Sequence, residues 1–347
     1  MFQPHDKIAV LLHGGIKGDK GKTGLALVRF RPESIAVVID AEAAGESFAQ
    51  LTGIDLAVPI VASVQEALSH HPDWLAIGIA PSGGVLPEPW RLEVKQAVAA
   101  GLSIANGLHT KLMDQPDLRN LLQPGQQLWD MRQENPGLKV GSGAAANLPQ
   151  QRILTVGTDM SVGKMSTSLA LHHACIVRGL RSQFLGTGQA GIMIAGSGIA
   201  LDAIRVDFAS GAVEKLVMES HEGADILHIE GQGSLLNPAS TATLPLIRGS
   251  QPTDLVLVHR AGQTAIRNFP QVPIPPLPKV IALYEAIAAG GGAFAGAKVG
   301  AIALNTAHMT SDEAYTAIQT TQEQTGLPCD DVIRNGGKAI IAALLKE

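Results

Sequence analysis

Short hydrophobic runs alternate with amphipathic stretches along most of the chain, a pattern that predicts buried parallel strands joined by crossover helices. In the first half, the pattern predicts strands at Lys7–Leu12, Ser34–Ile39, Pro59–Val61, Trp74–Ile79 and Leu102–Ala105, and helices at Ser63–His70 and Pro87–Ala100. Between residues 123 and 151 the periodicity gives way to prolines and glycines. We therefore place a domain boundary there, with residues 1–145 in the first domain and residues 146–347 in the second.

The alternation restarts after this boundary. The predicted strands are Ile153–Val156, Gln183–Leu185, Asp225–Ile229, Leu255–Val258 and Lys298–Leu304, and the predicted helices are Lys164–Arg178, Phe208–Glu219, Leu283–Ala289, Asp312–Gln324 and Gly337–Leu345. The segment Gly186–Gly198 is expected to be a glycine-rich loop, and Pro270–Pro278 a semi-rigid connector. Both halves are therefore predicted to be α/β domains with parallel sheets.

Composition restricts the class of protein. A chain of 347 residues is too long for one ordinary core, which agrees with two domains. The net charge of −5 and the 3% of aromatic residues argue against a nucleic-acid partner. Cys175 and Cys329 lie far apart and read as free thiols of a reducing compartment. No leader or membrane span is evident, so we expect a cytoplasmic protein without a membrane partner; a homo-oligomer stays open.

The strongest candidate for chemistry is a glycine-bracketed loop between strand Ile153–Val156 and a long helix. It reads Gly157-Thr158-Asp159-Met160-Ser161-Val162-Gly163 and is followed by Lys164-Met165-Ser166. Glycines at both ends let successive N–H groups turn inward around an anion, while the helix dipole and the lysine add positive charge. Two features depart from the usual phosphate loop: five residues separate the glycines instead of four, and Met165 replaces the hydroxyl that normally holds Mg²⁺.

A second, similar loop lies near the N-terminus. Gly15 to Thr23 has the same five-residue spacing between glycines and carries a hydroxyl residue at its end. The helix after it has room for only about two turns before Arg31-Pro32, so we expect a structural or regulatory loop on a Rossmann-like domain. Asp40 ends the next strand, where a Rossmann unit often places its ribose-binding acid, but the glycine pattern before it is irregular.

Glu230 is the expected partner of the loop at Gly157. It follows the hydrophobic strand Asp225–Ile229 and precedes Gly231, a position from which a carboxylate can hold Mg²⁺ beside bound phosphates. A turn-capping carboxylate is the alternative. His228 lies two residues earlier, and we expect it on the same sheet face as a weaker catalytic candidate.

Two further candidates follow other strands of this domain. Asn305 ends strand Lys298–Leu304 and is placed to hydrogen-bond a purine, although an Asn at a strand end also forms turns. The loop Gly186 to Gly191 follows the second strand at the carboxyl edge, where open α/β sheets bind ligands. It either lets the backbone approach a substrate closely or serves only as a tight connection.

These motifs resemble known families. Gly157 to Lys164, together with Ile229 to Pro238, resembles the phosphate loop and strand-end glutamate of dethiobiotin synthetase. The whole chain is more specifically similar to a bacterial and archaeal family long known only as a domain of unknown function. The segments that carry this similarity are Gly21 to Thr23, Ile79 to Gly84, Gly107 to His109, Gly163 to Ser166, Gly188 to Gly191, Asp207-Phe208, Glu230 to Ser234 and Gly326 to Pro328.

The resemblance implies a Rossmann-like N-terminal domain and a C-terminal doubly wound domain of the P-loop NTPase type, similar to dethiobiotin synthetase. Members of the DgcN type are D-glutamate N-acetyltransferases that use acetyl-CoA. The implied reaction is acetyl transfer to the amine of an acidic D-amino acid. Phosphate-loop residues 157 to 166 and Asn305 would bind the cofactor, and Lys164, Glu230 and His228 would be catalytic.

Two alternatives remain at this point. One is an ATP- and Mg²⁺-dependent ligase in which Glu230 holds the metal, and the other is a nucleotide-binding regulatory protein. Met165 favours acetyl-CoA over ATP as occupant, because losing a Mg²⁺ ligand weakens phosphoryl transfer more than it weakens diphosphate binding. Glu230 would then act as a general base and Lys164 as an oxyanion donor.

Overall fold

The computed structural model describes residues 2–3, 5–79 and 85–345, which fall into two compact units. The first unit holds residues 1–133 and 189–200, and the second holds residues 134–188 and 201–347. The sequence places the segment 134–145 in the first domain, whereas in the structure it packs with the second unit. The segment 189–200 returns to the first.

The first unit is a six-stranded parallel sheet with the order β3-β2-β1-β4-β5-β6. This is the strand order of dinucleotide-binding Rossmann domains. Its strands are β1 (Ile8–Leu11), β2 (Ile35–Ile39), β3 (Ile60–Val61), β4 (Trp74–Ile77), β5 (Ser103–Asn106) and β6 (Leu128–Asp130), and its helices are α1 (Lys22–Phe30), α2 (Phe48–Thr52), α3 (Val64–Ala67), α4 (Glu88–Ala99), α5 (Pro116–Arg119) and α7 (Gln189–Ala195).

The second unit is also a six-stranded parallel sheet, with the order β14-β13-β10-β7-β9-β8, and carries an antiparallel hairpin of β11 and β12. Its strands are β7 (Gln151–Gly157), β8 (Ser182–Leu185), β9 (Ile226–Ile229), β10 (Asp254–Arg260), β11 (Ala265–Ile266), β12 (Phe269–Pro273), β13 (Lys298–Asn305) and β14 (Cys329–Asp330). Its helices are α6 (Lys164–Val177), α8 (Ala209–Ser220), α9 (Thr243–Ser250), α10 (Leu277–Gly290), α11 (Ser311–Thr325), α12 (Val332–Asn335) and α13 (Lys338–Leu344).

The central strands of this second sheet are buried on both faces, which explains their nearly continuous hydrophobic sequences. Six of the seven residues of β7 are buried. Under α6, residues such as Ile153, Val256 and Leu171 form one core with the C-terminal helices. The predicted α/β class of both domains is confirmed. Across the described residues, no helix is long and apolar enough to cross a membrane.

Three local expectations differ from the structure. Helix α7 occupies part of the segment that was expected to be a glycine-rich loop, and it packs on α1 of the first unit. Strand β6 lies where no periodicity is visible, because three residues are too few to show one. The proline-dense segment contains β12 and the first turn of α10, since proline is tolerated at an exposed edge and at a helix start.

Candidate functional site

The loop after β7 is shaped by residues with left-handed backbone angles. Gly163 has φ +116° and Ser161 has φ +57°, so the chain reverses direction immediately before α6. Only glycine adopts the first of these conformations without strain. Helix α6 begins at Lys164 without a side-chain cap. The N–H groups of its first turn, including those of Met165 and Ser166, are therefore available to donate hydrogen bonds to an anion in the loop.

Lys164 lies inside this loop. Its side chain is buried, and Nζ donates a hydrogen bond to the backbone oxygen of Asp159 at 2.8 Å. Burial lowers the pKa of Lys164 to about 8, against the opposing attraction of Asp159 and Glu230. The ammonium is therefore charged at neutral pH and is held at the centre of the loop.

Asp159 fixes the loop to its surroundings. Its Oδ1 accepts hydrogen bonds from Asn237 Nδ2 and the N–H of Met160, and its Oδ2 accepts them from Gln263 Nε2 and the N–H of Arg267, all between 2.7 and 2.8 Å. Burial alone would raise the pKa of this carboxyl, but the four hydrogen bonds outweigh it and lower the pKa. Asp159 is thus a structural anion that ties the loop to the β11–β12 hairpin.

Glu230 lies one residue past β9, against the loop that follows β8. Its Oε2 accepts the backbone N–H groups of Thr187 at 2.7 Å and Gly188 at 3.0 Å, and Oε1 accepts Gln232 Nε2 at 2.9 Å. Burial raises the pKa of Glu230 to about 7, although the hydrogen bonds from Thr187 and Gly188 and the charge of Lys164 pull it down. A buried carboxyl that titrates near neutrality has the property of a general base.

The glycines around Glu230 are required by space. A Cβ on Gly188 would lie 2.4 Å from Gln232 Nε2, and a Cβ on Gly231 would lie 1.7 Å from the backbone oxygen of Thr155. The Gly231 N–H also donates to Thr155 Oγ1 on β7. The loop Gly186 to Gly191 supplies the backbone N–H groups of Thr187 and Gly188 to Glu230. The sequence had suggested either a close approach to a substrate or a tight connection, and neither includes this role.

His228 is not brought to the loop. It is fully buried, and its Nε2 lies 3.4 Å from Sγ of Cys175, which lies eleven positions after Lys164 on α6. Burial lowers the pKa of His228 to about 3, with a smaller contribution from His172. The predicted face shared with Glu230 does not bring the two side chains together, because Glu230 has already left the strand.

Asn305 supports the loop from the neighbouring strand β13. Its Nδ2 donates to the backbone oxygen of Val162 at 2.8 Å, and its Oδ1 accepts the N–H of Ala307 at 3.1 Å. A Cβ on Gly163 would lie 3.5 Å from the same Nδ2. Among its expected roles, the turn-forming one matches these bonds, and contact with a purine stays a prediction.

The sequence interpretation missed two residues that position the loop. His259, at the end of β10, places Nδ1 2.9 Å from Oγ1 of Thr158, and Tyr284 donates its hydroxyl to the backbone oxygen of Gly157 at 2.7 Å. His259 could have been found from its position at the carboxyl end of a strand in an open α/β sheet. Tyr284 lies within a helix, and no local signal marks it.

Metal binding is not a property of the side chains alone. Across the described ranges, no group of three or more His, Cys, Asp and Glu side chains is placed to hold a metal ion. Mg²⁺ prefers one or two carboxylates, with water and phosphate oxygens completing its shell. Magnesium at Glu230 therefore stays a prediction that depends on a bound phosphate.

A cavity of about 430 Å³ lies beside Met160 and Ser161 of the phosphate loop. It is lined by Met160, Ser161, Arg260, Ala261, Gly262, Gln263, Ala265, Arg267 and His308. Among the described residues, its lining includes two arginines and a histidine and no carboxylate, so it favours anions. We call it the basic cleft.

A second cavity, of about 340 Å³, shares residues 261–263 of its wall with the basic cleft. Its other lining residues are His259, Thr264, Ile274, Pro275, Pro276, Leu277, Leu304, Ala317, Thr320, Thr321 and Gln324. Burial lowers the pKa of His259 to about 4, so this lining is uncharged at neutral pH. We call it the neutral cavity.

In the similar loop of the first unit, Gly15 to Thr23, the backbones of the two bracketing glycines pack directly against each other. A Cβ on Gly21 would lie 2.3 Å from the backbone oxygen of Gly15, and Asp40 accepts the N–H groups of Gly14 and Ile16 at 3.2 and 3.4 Å. Asp40 thus satisfies amides that an anion would otherwise bind. The motif at Ala80 to Gly84 lies outside the described residues.

Comparisons with known proteins agree with this architecture. Residues 41–134 match the N-terminal Rossmann-like domain of the family DUF1611, a domain of unknown function, and residues 139–341 match its C-terminal P-loop domain. The chain is 35% identical to a D-glutamate N-acetyltransferase of Tritonibacter scottomollicae over 81% of this chain and 84% of that one. It is 37% identical to one of a Pseudoalteromonas species, with the same coverage.

A crystal structure gives the same result for the fold. A DUF1611 family protein from Anabaena variabilis superposes with a TM-score of 0.95 at 58% identity, over 99% of this chain and all of that one. The similarity extends over both units. The chain belongs to the DUF1611 family, which combines a Rossmann-like and a P-loop domain, and the two curated relatives it resembles are named D-glutamate N-acetyltransferase.

Proposed function

We propose that this protein transfers the acetyl group of acetyl-CoA to the amine of an acidic amino acid of the D-glutamate class. The observation that carries the proposal is Glu230, a buried carboxyl with a pKa of about 7 beside the lysine of a phosphate loop. Acetyl transfer needs a base that is partly ionised at neutral pH, together with an anion site for the cofactor. The names of the two curated relatives support the same reaction.

The phosphate loop suits the diphosphate of coenzyme A. Loop and helix N–H groups and the Lys164 ammonium offer charge and donors without needing a metal. Met165 leaves the loop without the hydroxyl that usually holds Mg²⁺ for phosphoryl transfer. The loop therefore supports diphosphate binding better than γ-phosphate transfer.

The proposed chemistry uses two groups. Glu230 takes a proton from the substrate ammonium, and the neutral amine attacks the acetyl carbonyl carbon to form a tetrahedral intermediate. Backbone N–H groups that do not bind the diphosphate stabilise the oxyanion. The C–S bond then breaks, the nitrogen loses its second proton, and the coenzyme A thiolate gains one, which leaves the N-acetyl amino acid and free thiol.

The test is thiol release from acetyl-CoA in the presence of D-glutamate. We expect turnover by the wild type and a loss of about a hundredfold or more in Glu230→Gln, which keeps the side-chain shape but not the base. Lys164→Gln is the second variant. Its amide can still donate to Asp159 while the charge is gone, so the KM for acetyl-CoA should rise.

Two results would contradict the proposal. One is an absence of thiol release with a panel of acidic amino acids of both configurations. The other is Mg²⁺-dependent ADP release from ATP that requires a small acid, which is the behaviour of a ligase such as dethiobiotin synthetase. Tight nucleotide binding without any turnover would point instead to a regulatory protein.

A further inference from the structure

We propose that the basic cleft binds the 3′-phosphate of coenzyme A, with Arg260 and Arg267 as the residues that recognise it. The assignment rests on the proposed function, because it places the diphosphate of the same cofactor in the phosphate loop. It assigns a role to two arginines that the acetyl-transfer chemistry leaves unused.

The first argument is position along the ligand. Met160 and Ser161 belong both to the phosphate loop and to the wall of the basic cleft. An anion in the cleft is therefore a neighbour of a diphosphate bound in the loop. In coenzyme A the ribose 3′-phosphate is the one further phosphate, and the ribose joins it directly to the diphosphate.

The second argument is charge. Arg260 ends β10, and Arg267 lies at the tip of the β11–β12 hairpin, both exposed to solvent. The backbone N–H of Arg267 is fixed by Asp159 at 2.8 Å, so this hairpin has a defined position beside the loop. Arginine forks match the geometry of a phosphate with two charge-assisted hydrogen bonds.

The third argument favours a phosphate over the acceptor carboxylates as the occupant. Glu230 follows β9 and Arg260 ends β10, with β7 between these two strands. Strand axes two positions apart are separated by about 10 Å. The amine of glutamate lies only about 5 Å from its far carboxylate. An acceptor whose amine reaches Glu230 therefore places its far carboxylate nearer to β7 than to the end of β10.

The neutral cavity completes this arrangement on the adenosine side. Its wall combines apolar residues such as Ile274 and Leu304 with amide and hydroxyl groups such as Gln263 and Thr321. Such a lining fits an uncharged heterocycle that needs a few hydrogen bonds. The adenine would lie there, adjoining the cleft, while the pantetheine arm leaves the diphosphate on the other side, toward Glu230.

The experiment compares acetyl-CoA with acetyl-(3′-dephospho)-CoA in the full-length protein. We expect the wild type to prefer acetyl-CoA in kcat/KM by about tenfold to a hundredfold, mostly through KM. Arg260→Gln and Arg267→Gln should each reduce this preference several-fold, because kcat/KM should fall more for acetyl-CoA than for the dephospho analogue. Arg181→Gln is the matched control, because it removes one exposed arginine at the start of β8 and should keep the preference.

Three results would overturn the assignment: a wild type without preference between the two thioesters, arginine variants that affect both thioesters equally, or variants that raise only the KM for the amino acid. A thermal melt of each variant checks that it is folded. Failure of the proposed function looks different, since neither thioester would be turned over by any form of the protein.

Discussion

The hydroxyl of Thr158 lies 2.9 Å from Nδ1 of His259, and this buried contact joins the phosphate loop to the end of strand β10. The contact also joins the loop to the neutral cavity, which His259 lines. Burial lowers the pKa of His259 to about 4, so the imidazole is neutral and bonded at pH 7.

The Thr158–His259 contact predicts a cost for Thr158→Val. The substitution keeps the shape of the side chain but removes one partner of a buried hydrogen bond, so the free energy of unfolding should fall by about 1–3 kcal/mol. Thr158→Ser retains the hydroxyl and should recover most of it. Urea unfolding of the three proteins measures the difference. A loss in the Ser variant with none in the Val variant would mean that packing of the methyl group, not the hydrogen bond, matters.

Glu230→Gln is expected to lower activity and to remove the pH dependence of stability that this carboxyl causes. The folded pKa of about 7 is above the ordinary value of 4.5, so the wild type loses stability as the pH rises from about 4.5 through 7. The variant does not titrate and should gain about 3 kcal/mol over the wild type between pH 4.5 and pH 8. Denaturant unfolding at both pH values measures this gain.

The pH dependence of turnover checks the same group independently. If Glu230 is the base, kcat in the wild type should rise with pH through about 7, where its carboxyl loses the proton. A rate that is independent of pH between 5.5 and 8.5 would contradict this role, even if the stability difference is found.

His228→Leu tests whether this histidine is part of the core or of the site. Its pKa of about 3 lies below the ordinary 6.5, so the wild type loses stability as the pH falls from about 6.5 toward 3. Between pH 7 and pH 4.5, the free energy of unfolding of the variant should fall by about 2–3 kcal/mol less than that of the wild type. The kcat at pH 7.5 should stay within a few-fold of the wild type. A fall of a hundredfold in kcat, with the fold intact, would restore the catalytic interpretation.

Gly231→Ala is expected to disrupt the fold around Glu230. The added Cβ would lie 1.7 Å from the backbone oxygen of Thr155, a contact that only backbone movement relieves. We expect a loss of several kcal/mol in unfolding free energy. Gly223→Ala is the control, since Gly223 has φ +74° and open space around it, and should cost about 1 kcal/mol of backbone strain. A loss in Gly231→Ala no larger than in the control would show that the contact with Thr155 is relieved at little cost in free energy.

Most of the fold could be predicted from the sequence because the signals are local. Hydrophobic runs mark β7 and β10, which are buried on both faces, and the glycine spacing marks the loop from Gly157 to Gly163. The boundaries that were missed belong to short or proline-containing elements such as β6 and β12. Periodicity over three to five residues does not distinguish a strand from a loop.

By itself, the sequence determined the two α/β domains, the phosphate loop with its lysine, and a carboxylate at the end of the strand that becomes β9. Only the tertiary structure decided what each side chain near that strand does. His228 and Glu230 are two residues apart, yet one packs on Cys175 and the other meets the amides of Thr187 and Gly188. Strand order and burial depend on contacts between residues far apart in the chain. For the same reason, Arg260 and Arg267 carry no visible signal until β10 is placed beside β7.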